Sequence, residues 1–166
     1  AKITNFSSAT SVTATTQDDF DNTNAVTNWK LGAFSGTTGH PSCVSFFEQR
    51  LVFAGTTAEP QTLYFSKSGD YENMTAGTNA DDAMIYTIAS NQVNKIRYLK
   101  AQRTLIVGTT GGEFSVSADG TDAAVTPTNI VIKKQSSYGT ADVDAITAGN
   151  AILFLQKAKR KIRELS

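Results

Sequence analysis

The stretch Arg50-Leu51-Val52-Phe53-Ala54-Gly55-Thr56 decides the fold class, because a similar stretch recurs later in the chain. Residues 103–109 repeat its layout of an arginine, an apolar run and then Gly-Thr, with Arg103 lying 53 positions after Arg50. A short apolar run that ends at a glycine is typical of a β-strand followed by a turn. We therefore interpret Arg50 and Arg103, and likewise Gly55 and Gly108, as equivalent positions of a repeated β unit. We expect the two arginines to have a structural role in each unit and not to bind a ligand.

Further strands are predicted on both sides of these two stretches. Short apolar or β-branched runs alternate with Gly, Asn, Asp and Pro, and no window of helical length keeps an unbroken 3.6-residue apolar period. At 151–165 a helix competes with a hairpin, and the change from apolar to basic residues at Lys157 favours the hairpin. The predicted strands lie near 43–48, 50–56, 62–67, 83–89, 95–100, 104–109, 113–117, 129–134, 143–148, 151–156 and 161–165.

These strands fall into units of roughly 50 residues with about four strands each, which is typical of β-propeller blades. The blade-like repeats span about 43–90, 95–135 and 143–166, and Ser66 aligns with Ser115 in the first two. We therefore predict an all-β fold of repeated four-stranded antiparallel sheets that form part of a propeller. The alternative is a β-sandwich whose strands are similar by coincidence. Because so few blades cannot close a ring, we expect a fragment of a longer chain.

A change in composition divides the chain near residue 28. Residues 1–28 are rich in Thr, Ser, Ala, Asn and Asp, and we interpret them as a polar N-terminal arm or the end of a preceding domain. A strand over 11–15 fits either alternative. From Trp29 onward apolar and aromatic residues become frequent, so a propeller-like β domain is predicted over 29–166.

Charge and cysteine content exclude several classes of protein. The chain has 15 Lys and Arg and 15 Asp and Glu, so its formal net charge of +0 provides no overall attraction to nucleic acid or to an anionic membrane. The single cysteine, Cys43, excludes an internal disulfide framework. No apolar run approaches the roughly 20 residues of a membrane-spanning helix, and we predict no membrane span.

Catalytic and metal-binding patterns are sparse. His40 is the single histidine, and a Cys-His pair with Cys43, three residues later, would lack an orienting group. One Cys and one His cannot form a zinc site, and the aspartates at 18–21, 81–82 and 119–122 lack the spacing of a calcium-binding loop. Sequence spacing cannot pair the carboxylates that a glycosidase would need, which are Glu48, Glu59, Asp70, Glu72 and Glu113.

We therefore expect no enzyme activity, no catalytic residue, no cofactor and no metal. The loop position of His40 and the apolar context of Cys43 indicate a surface histidine and a small buried side chain. The glycine-rich segment 108–112 lacks the Lys-Ser/Thr of a phosphate-binding loop and precedes a strand, so it predicts a hairpin turn.

One strongly basic run interrupts this neutral chain, and it lies at 157–163. It offers contact with DNA or with an acidic partner surface, but we favour the alternative of a solvated hairpin tip whose charge discourages edge pairing. The candidate contact residues are Lys157, Lys159, Arg160, Lys161 and Arg163.

Several segments together resemble a family of bacteriophage and prophage tail structural proteins. They are 29–35, 39–42, 46–56, 60–73, 81–83, 88–94, 111–114, 135–139 and 160–165, which cover most of the chain after residue 28. The family is similar to the tail tubular protein B, or nozzle, subunits of short-tailed phages. The resemblance implies a long multidomain chain with a β-propeller, assembled as a ring around the DNA path. It carries no catalytic residue.

Three functions follow as hypotheses. The first is a virion structural subunit made in the bacterial host cytoplasm, whose partners are other tail subunits in a ring-shaped homo-oligomer and, non-specifically, DNA. The second is a tail-associated carbohydrate- or receptor-binding module, in which aromatic residues stack on sugars. The third, a tail enzyme, is disfavoured by the lone histidine. Burial of the candidate aromatic residues would favour the first function, and their exposure would favour the second. The candidates are Trp29, Tyr64, Tyr71, Tyr86 and Tyr98.

Overall fold

A computed structural model describes residues 2–8, 10–16, 24, 32–120 and 123–165, and these hold thirteen β-strands and no helix. The predicted all-β fold is therefore confirmed. The described part contains no helix that could cross a membrane. The chain divides into two compact units, 1–31 and 32–166, close to the predicted boundary at residue 28.

The first unit contains an antiparallel hairpin of β1 (Lys2–Ser8) and β2 (Ser11–Thr15). The predicted strand over 11–15 is confirmed, whereas β1 was not predicted. Residues 4–8 and 11–15 are all exposed, so the hairpin has no buried face and no alternating apolar pattern to reveal it. Residues 17–23 and 25–31 lie outside the described part.

The second unit consists of three antiparallel meanders in which chain neighbours pair. All eleven strands predicted between 43 and 165 are present, and the hairpin predicted at 151–165 is confirmed. The first sheet contains β3 (Cys43–Phe47), β4 (Arg50–Ala54), β5 (Thr62–Phe65) and β6 (Met84–Thr87). The second contains β7 (Ile96–Ala101), β8 (Leu105–Thr109), β9 (Gly112–Ala118) and β10 (Ile130–Ser136). The third contains β11 (Ile146–Ala148), β12 (Ala151–Leu155) and β13 (Ile162–Leu165).

The three sheets stack through two apolar layers, with the second sheet in the middle. In the first layer, Val52 and Leu63 of the first sheet pack with Leu105 and Val107 of the second. In the other layer, Tyr98 and Ile106 on the opposite face of the second sheet pack with Ile152 and Phe154 of the third. We call the face towards the preceding sheet the leading face and the face towards the following sheet the trailing face.

Backbone hydrogen bonds show that the three sheets stack in the same orientation. In the first sheet the Ser66 N–H donates to the Leu51 carbonyl at 2.8 Å, so Leu51 and Phe53 are the β4 residues bonded towards the third strand. In the second sheet the Asp119 N–H donates to the Asn129 carbonyl at 2.7 Å, towards the fourth strand. Because successive residues of a strand bond to opposite neighbours, Leu105 and Val107 are the β8 residues bonded towards the third strand. In the third sheet the Gln156 N–H donates to the Lys161 carbonyl at 2.9 Å. By the same alternation, Ile152 and Phe154 are the β12 residues bonded towards the third strand. All six residues therefore lie on leading faces.

This register corrects the sequence alignment of the repeats by one residue. By the direction of their backbone hydrogen bonds, Leu105 and Val107 match Leu51 and Phe53, whereas the alignment of Arg50 with Arg103 matches Leu105 with Val52. Val116, which pairs with Leu105, shares the hydrogen-bond role of Ser66, whereas the sequence matched Ser66 with Ser115. In strands that are apolar on both faces, a one-residue slip still matches apolar with apolar, so the sequence pattern could not detect the error.

The two Gly-Thr pairs of the repeat end their strands in similar ways, although the two glycines have different roles. Thr56 and Thr109 are buried, and their hydroxyls accept the N–H groups of Glu59 and Gly111 in the following turns, at 3.0 and 3.2 Å. Gly55 has a φ of +73°, which favours glycine. The hairpin turn predicted at 108–112 is confirmed, since Thr109 pairs with Gly112.

Candidate functional site

Arg50 is a buried structural arginine of the first sheet. It begins β4, and its guanidinium donates to the carbonyl oxygens of Ser66 at 2.8 Å, Asp82 at 2.7 Å, Ala80 at 2.6 Å and Asp81 at 3.3 Å. Burial lowers the pKa of Arg50, and the nearby carboxylates oppose this effect. The side chain thus closes the long connection between β5 and β6 onto the sheet.

Arg103, its partner in the sequence alignment, has a different environment. It lies in the turn between β7 and β8 and is exposed. Gly108 likewise differs from Gly55, because it lies within β8 directly beneath the ring of buried Tyr98. The four aligned positions are therefore not equivalent in three dimensions.

A buried polar row crosses the trailing face of the second sheet. Tyr98, Gly108 and Glu113 pair in register on β7, β8 and β9, and Tyr98 and Glu113 are both buried. The Ser136 hydroxyl donates to Glu113 Oε2. Within the described residues, Glu113 Oε1 and the Tyr98 hydroxyl are buried without a hydrogen-bond partner.

Burial raises the pKa of Glu113 above its usual value, against the opposing effects of the Ser136 hydroxyl and of the backbone N–H groups of Gly139 and Tyr138. Burial, with the nearby Glu113 as a further cause, also raises the pKa of Tyr98. Glu113 is thus hydrogen-bonded to Ser136 at the end of β10 and lies near the backbone of Tyr138 and Gly139, in the segment that leads to the third sheet. Its spacing in the sequence carries no signal of this role, since the row forms only when three strands pair.

The Glu113→Gln variant should lack the loss of folding stability that the wild type shows as pH rises. A carboxyl whose folded-state pKa is raised stabilises the fold fully below its unfolded-state pKa and loses that contribution as pH rises through the folded-state value. Urea unfolding from pH 4 upward should therefore show the wild type losing stability relative to Glu113→Gln. The Ser136→Ala variant should extend the loss to higher pH, because that hydroxyl favours the charged carboxylate and its removal raises the folded-state pKa further. A constant difference between wild type and Glu113→Gln at every pH would contradict the assignment.

The basic run forms the turn between β12 and β13. Lys157, Lys159, Arg160 and Lys161 are exposed, and no carboxylate of the described residues lies within 4 Å of them. The turn is tied to the backbone, because the Lys157 N–H donates to the Gly139 carbonyl at 2.9 Å. The structure therefore presents four exposed positive charges on one defined turn, which we call the basic turn.

Arg163 does not share this environment, although it was predicted with the basic run. It is half-buried on β13, where its guanidinium lies 4.0 Å from the centre of the Tyr138 ring. Its Nε donates to Gln156 Oε1 at 3.2 Å. Arg163 therefore supports the base of the basic turn by a cation–π contact.

The leading face of the first sheet is an apolar surface that is exposed at Val44 and Ile85 and covered at its centre, where Tyr64 is buried. Val44, Phe53, Tyr64 and Ile85 pair in register across its four strands. Phe34 contacts this row edge-on, with ring-centre distances of 5.5 Å to Phe53 and 5.0 Å to Tyr64.

Beside this row, Phe46 is 60% exposed and meets the half-exposed Tyr71 at 5.2 Å. We call the surface of Val44, Phe46, Phe53, Tyr64 and Ile85 the leading end face. Of its aromatic residues Phe46 faces solvent, whereas Phe53 is half-buried and Tyr64 is buried beneath Phe34. Exposed apolar residues such as Val44, Phe46 and Ile85 on one face are typical of a contact surface.

The trailing face of the third sheet is the second exposed apolar surface. Ile146 pairs with Leu153, and Leu155 pairs with Ile162. Ile146 and Ile162 are 63% and 73% exposed, whereas Leu153 and Leu155 are half-buried. These four residues form the trailing end face. The stack thus has an apolar surface at each end.

The aromatic residues proposed for sugar stacking are mostly packed inside. Tyr64 and Tyr98 are buried, and the half-buried Tyr86 donates its hydroxyl to the Pro127 carbonyl. Tyr71 is exposed, and Trp29 lies outside the described residues. Of these four described tyrosines, only Tyr71 is therefore open to a ligand.

The remaining candidate residues that the structure describes have separate environments. His40 is exposed, whereas Cys43 is buried, its thiol donates to the Ile96 carbonyl at 3.8 Å, and burial raises its pKa. Glu48 accepts the Val125 N–H at 2.6 Å and Asp81 pairs with Lys67 at 3.0 Å.

Within the described part, no group of three or more His, Cys, Asp or Glu residues is placed to hold a metal ion. Asp18, Asp19, Asp21 and Asp122 of the predicted acidic clusters lie outside that part. No protein-family model matches the chain, and no curated protein matches it. Its function must therefore be inferred from the residues themselves.

Proposed function

We propose that the chain is a structural subunit of a bacteriophage tail, of the tubular or nozzle kind, that assembles with other tail proteins around the DNA exit path. The observation that supports this proposal is the stack of three like-oriented sheets with an exposed apolar surface at each end. Such a stack suits a part that is built into a larger assembly, because large exposed apolar surfaces on a soluble protein are usually covered by a partner.

The sequence segments that resemble tail proteins have structural roles in this stack. Residues 46–56 and 60–73 include β4 and β5, and residues 81–83 contribute two of the carbonyls that bind Arg50. Residues 135–139 and 160–165 include the Tyr138–Arg163 contact beneath the basic turn. A resemblance concentrated on packing residues supports a structural function, with the virion as its location and the host cytoplasm as the place of synthesis.

The basic turn supports contact with DNA in the channel of such a tail. A neutral chain is not attracted to phosphates as a whole, so attraction must come from a local group of exposed cations. The four cations of the basic turn form such a group. The contact would be with phosphates and independent of base sequence.

Electron cryomicroscopy of the phage or prophage particle that carries the chain tests this proposal. We expect copies of the stack in a ring around the tail axis, with the basic turn within a Debye length of the DNA path, about 10 Å at 0.1 M salt. Density for the stack outside the tail would contradict the structural assignment. A ring whose basic turn faces away from the axis would retain the subunit function and reject the DNA contact.

A second candidate is a tail-associated module that binds carbohydrate or a receptor. The exposed Phe46–Tyr71 pair favours it, since aromatic faces stack on sugar rings. In the same cryomicroscopy map, a position at the distal tip of the tail with Phe46 and Tyr71 facing outward would favour this function over the first.

A further inference from the structure

We propose that the leading end face of one chain binds the trailing end face of a second copy, so that two copies close a ring of six sheets. The proposal does not depend on the assignment to a phage tail. It follows from the order in which the three sheets pack, from the residues exposed at the two ends and from the number of sheets in the chain.

Both internal interfaces are of one kind. A trailing face of one sheet meets the leading face of the next, first between Val52 and Leu105 and again between Ile106 and Ile152. The two end faces are the two halves of this same interface that meet no other sheet of the chain. Phe34 packs on Phe53 and Tyr64 at the centre of the leading end face, so a second copy would contact Val44, Phe46 and Ile85 around it. The trailing face of the third sheet can therefore pack against the leading face of the first sheet in a second copy, as the internal faces pack against each other.

The residues on the end faces match their buried counterparts in the internal layers. On leading faces, Phe53 corresponds to buried Val107 and Phe154. On trailing faces, Leu153 corresponds to Ile106, which is buried between the second and third sheets. A second copy would thus place Leu153 against the leading end face, where Phe46 and Ile85 are exposed.

The contacts between first strands support a radial arrangement. β3 and β7 lie side by side, and the Cys43 thiol donates to the Ile96 carbonyl across them. Arg97 and Lys100 of β7 pair with Asp142 and Asp144, which lie just before β11, at 2.5 and 2.7 Å. The first strands of the first two sheets thus meet directly, and the second sheet is joined by ion pairs to the segment that leads into β11 of the third. Sheets joined near their first strands can surround an axis as propeller blades do, and propellers hold about four to eight blades. Two copies of three sheets give a number within this range.

Sedimentation velocity of the purified full chain over a wide concentration range tests the proposal. We expect a concentration-dependent species with twice the 17.7 kDa mass of one chain. Phe46→Asp on the leading end face and Ile162→Asp on the trailing end face should each raise the dissociation constant about tenfold or more, because each places a charge in an apolar interface. Val93→Asp is the matched control, since Val93 is 77% exposed, lies in the connection between β6 and β7 and is not one of the residues of either end face.

Mixing the two variants tests the direction of the contact. A mixed pair joins the intact trailing end face of Phe46→Asp to the intact leading end face of Ile162→Asp, so the mixture should associate more strongly than either variant alone. Circular dichroism and urea unfolding of each variant establish that it is folded.

Three outcomes would overturn the proposal. A chain that stays monomeric at the highest concentration would mean that other segments of a longer protein cover the end faces. Association that Phe46→Asp abolishes and Ile162→Asp leaves intact would mean that two leading end faces pair with each other. Association that is insensitive to both variants but lost in Glu164→Pro would mean that the open edge of β13 pairs instead. Each of these results leaves the location of the chain in a tail particle to be decided separately.

Discussion

Replacing Arg50 with alanine is expected to lower the free energy of unfolding by about 3–5 kcal/mol, because it removes a buried charged donor from all of its partners at once. The guanidinium is buried and donates to four backbone carbonyls, those of Ser66, Ala80, Asp81 and Asp82. Removing it takes this donor from the carbonyls of Ser66, Ala80 and Asp82, whereas the Asp81 carbonyl keeps the N–H of Ser68 at 2.9 Å. The cost is largest at Ser66, which is buried. The change is measured by urea unfolding followed by circular dichroism.

Arg103→Ala is the matched control for this experiment, because the sequence repeat pairs the two arginines. Arg103 is exposed, and the expected loss is below about 1 kcal/mol, as for most surface substitutions. Equal losses from the two variants would mean that the buried donor network of Arg50 contributes nothing beyond an ordinary surface contact. Arg50→Lys should recover only part of the loss, since an ammonium cannot reproduce the planar guanidinium geometry.

Replacing Gly108 with alanine is expected to destabilise the fold by about 1–3 kcal/mol, the range found when a packed core must accept an extra methyl group. A Cβ atom at this position would overlap Cε1 of the Tyr98 ring, which is itself buried between the second and third sheets. The ring cannot move away without disturbing Ile152 and Phe154 in the same layer. Thermal or urea unfolding measures the loss.

A double-mutant cycle separates this clash from other effects of the substitution. Tyr98→Leu removes the ring atoms that the new methyl group would meet, so Gly108→Ala should cost much less in the Tyr98→Leu background than in the wild type. Gly36→Ala is the control for a general effect of losing a glycine, because a Cβ at Gly36 meets no atom within 4 Å. Additive losses at Gly108 and Tyr98 would contradict the proposed contact.

The strands were predictable because local chemistry dictates them. Short β-branched and aromatic runs between Gly, Asn, Asp and Pro residues marked all eleven strands of the second unit, and the apolar-to-basic change at Lys157 marked the last hairpin. The exposed hairpin of β1 and β2 shows the limit of this reasoning. Its side chains from 4 to 8 contact solvent, so only the pairing with β2 reveals β1 as a strand.

Turn geometry was less accessible from the sequence. Glu48 and Gln49 connect β3 to β4 with φ values of 47° and 59°, although neither is glycine. The carboxylate of Glu48 accepts the Val125 N–H, a contact between residues 77 positions apart. A tertiary hydrogen bond thus accompanies a local conformation that the residue types alone disfavour.

The amino-acid sequence alone was enough to predict an all-β fold, a repeat of strands and a strongly basic segment near the C-terminal end. The register of the repeat, the different environments of Arg50 and Arg103, the burial of Glu113 beside Tyr98 and the two end faces became visible only in three dimensions. Strand formation depends on neighbours in the chain, whereas register, burial and exposure depend on which faces meet in space. A shift of one residue changes little in an apolar run, yet it reverses every side chain between the two faces of a sheet.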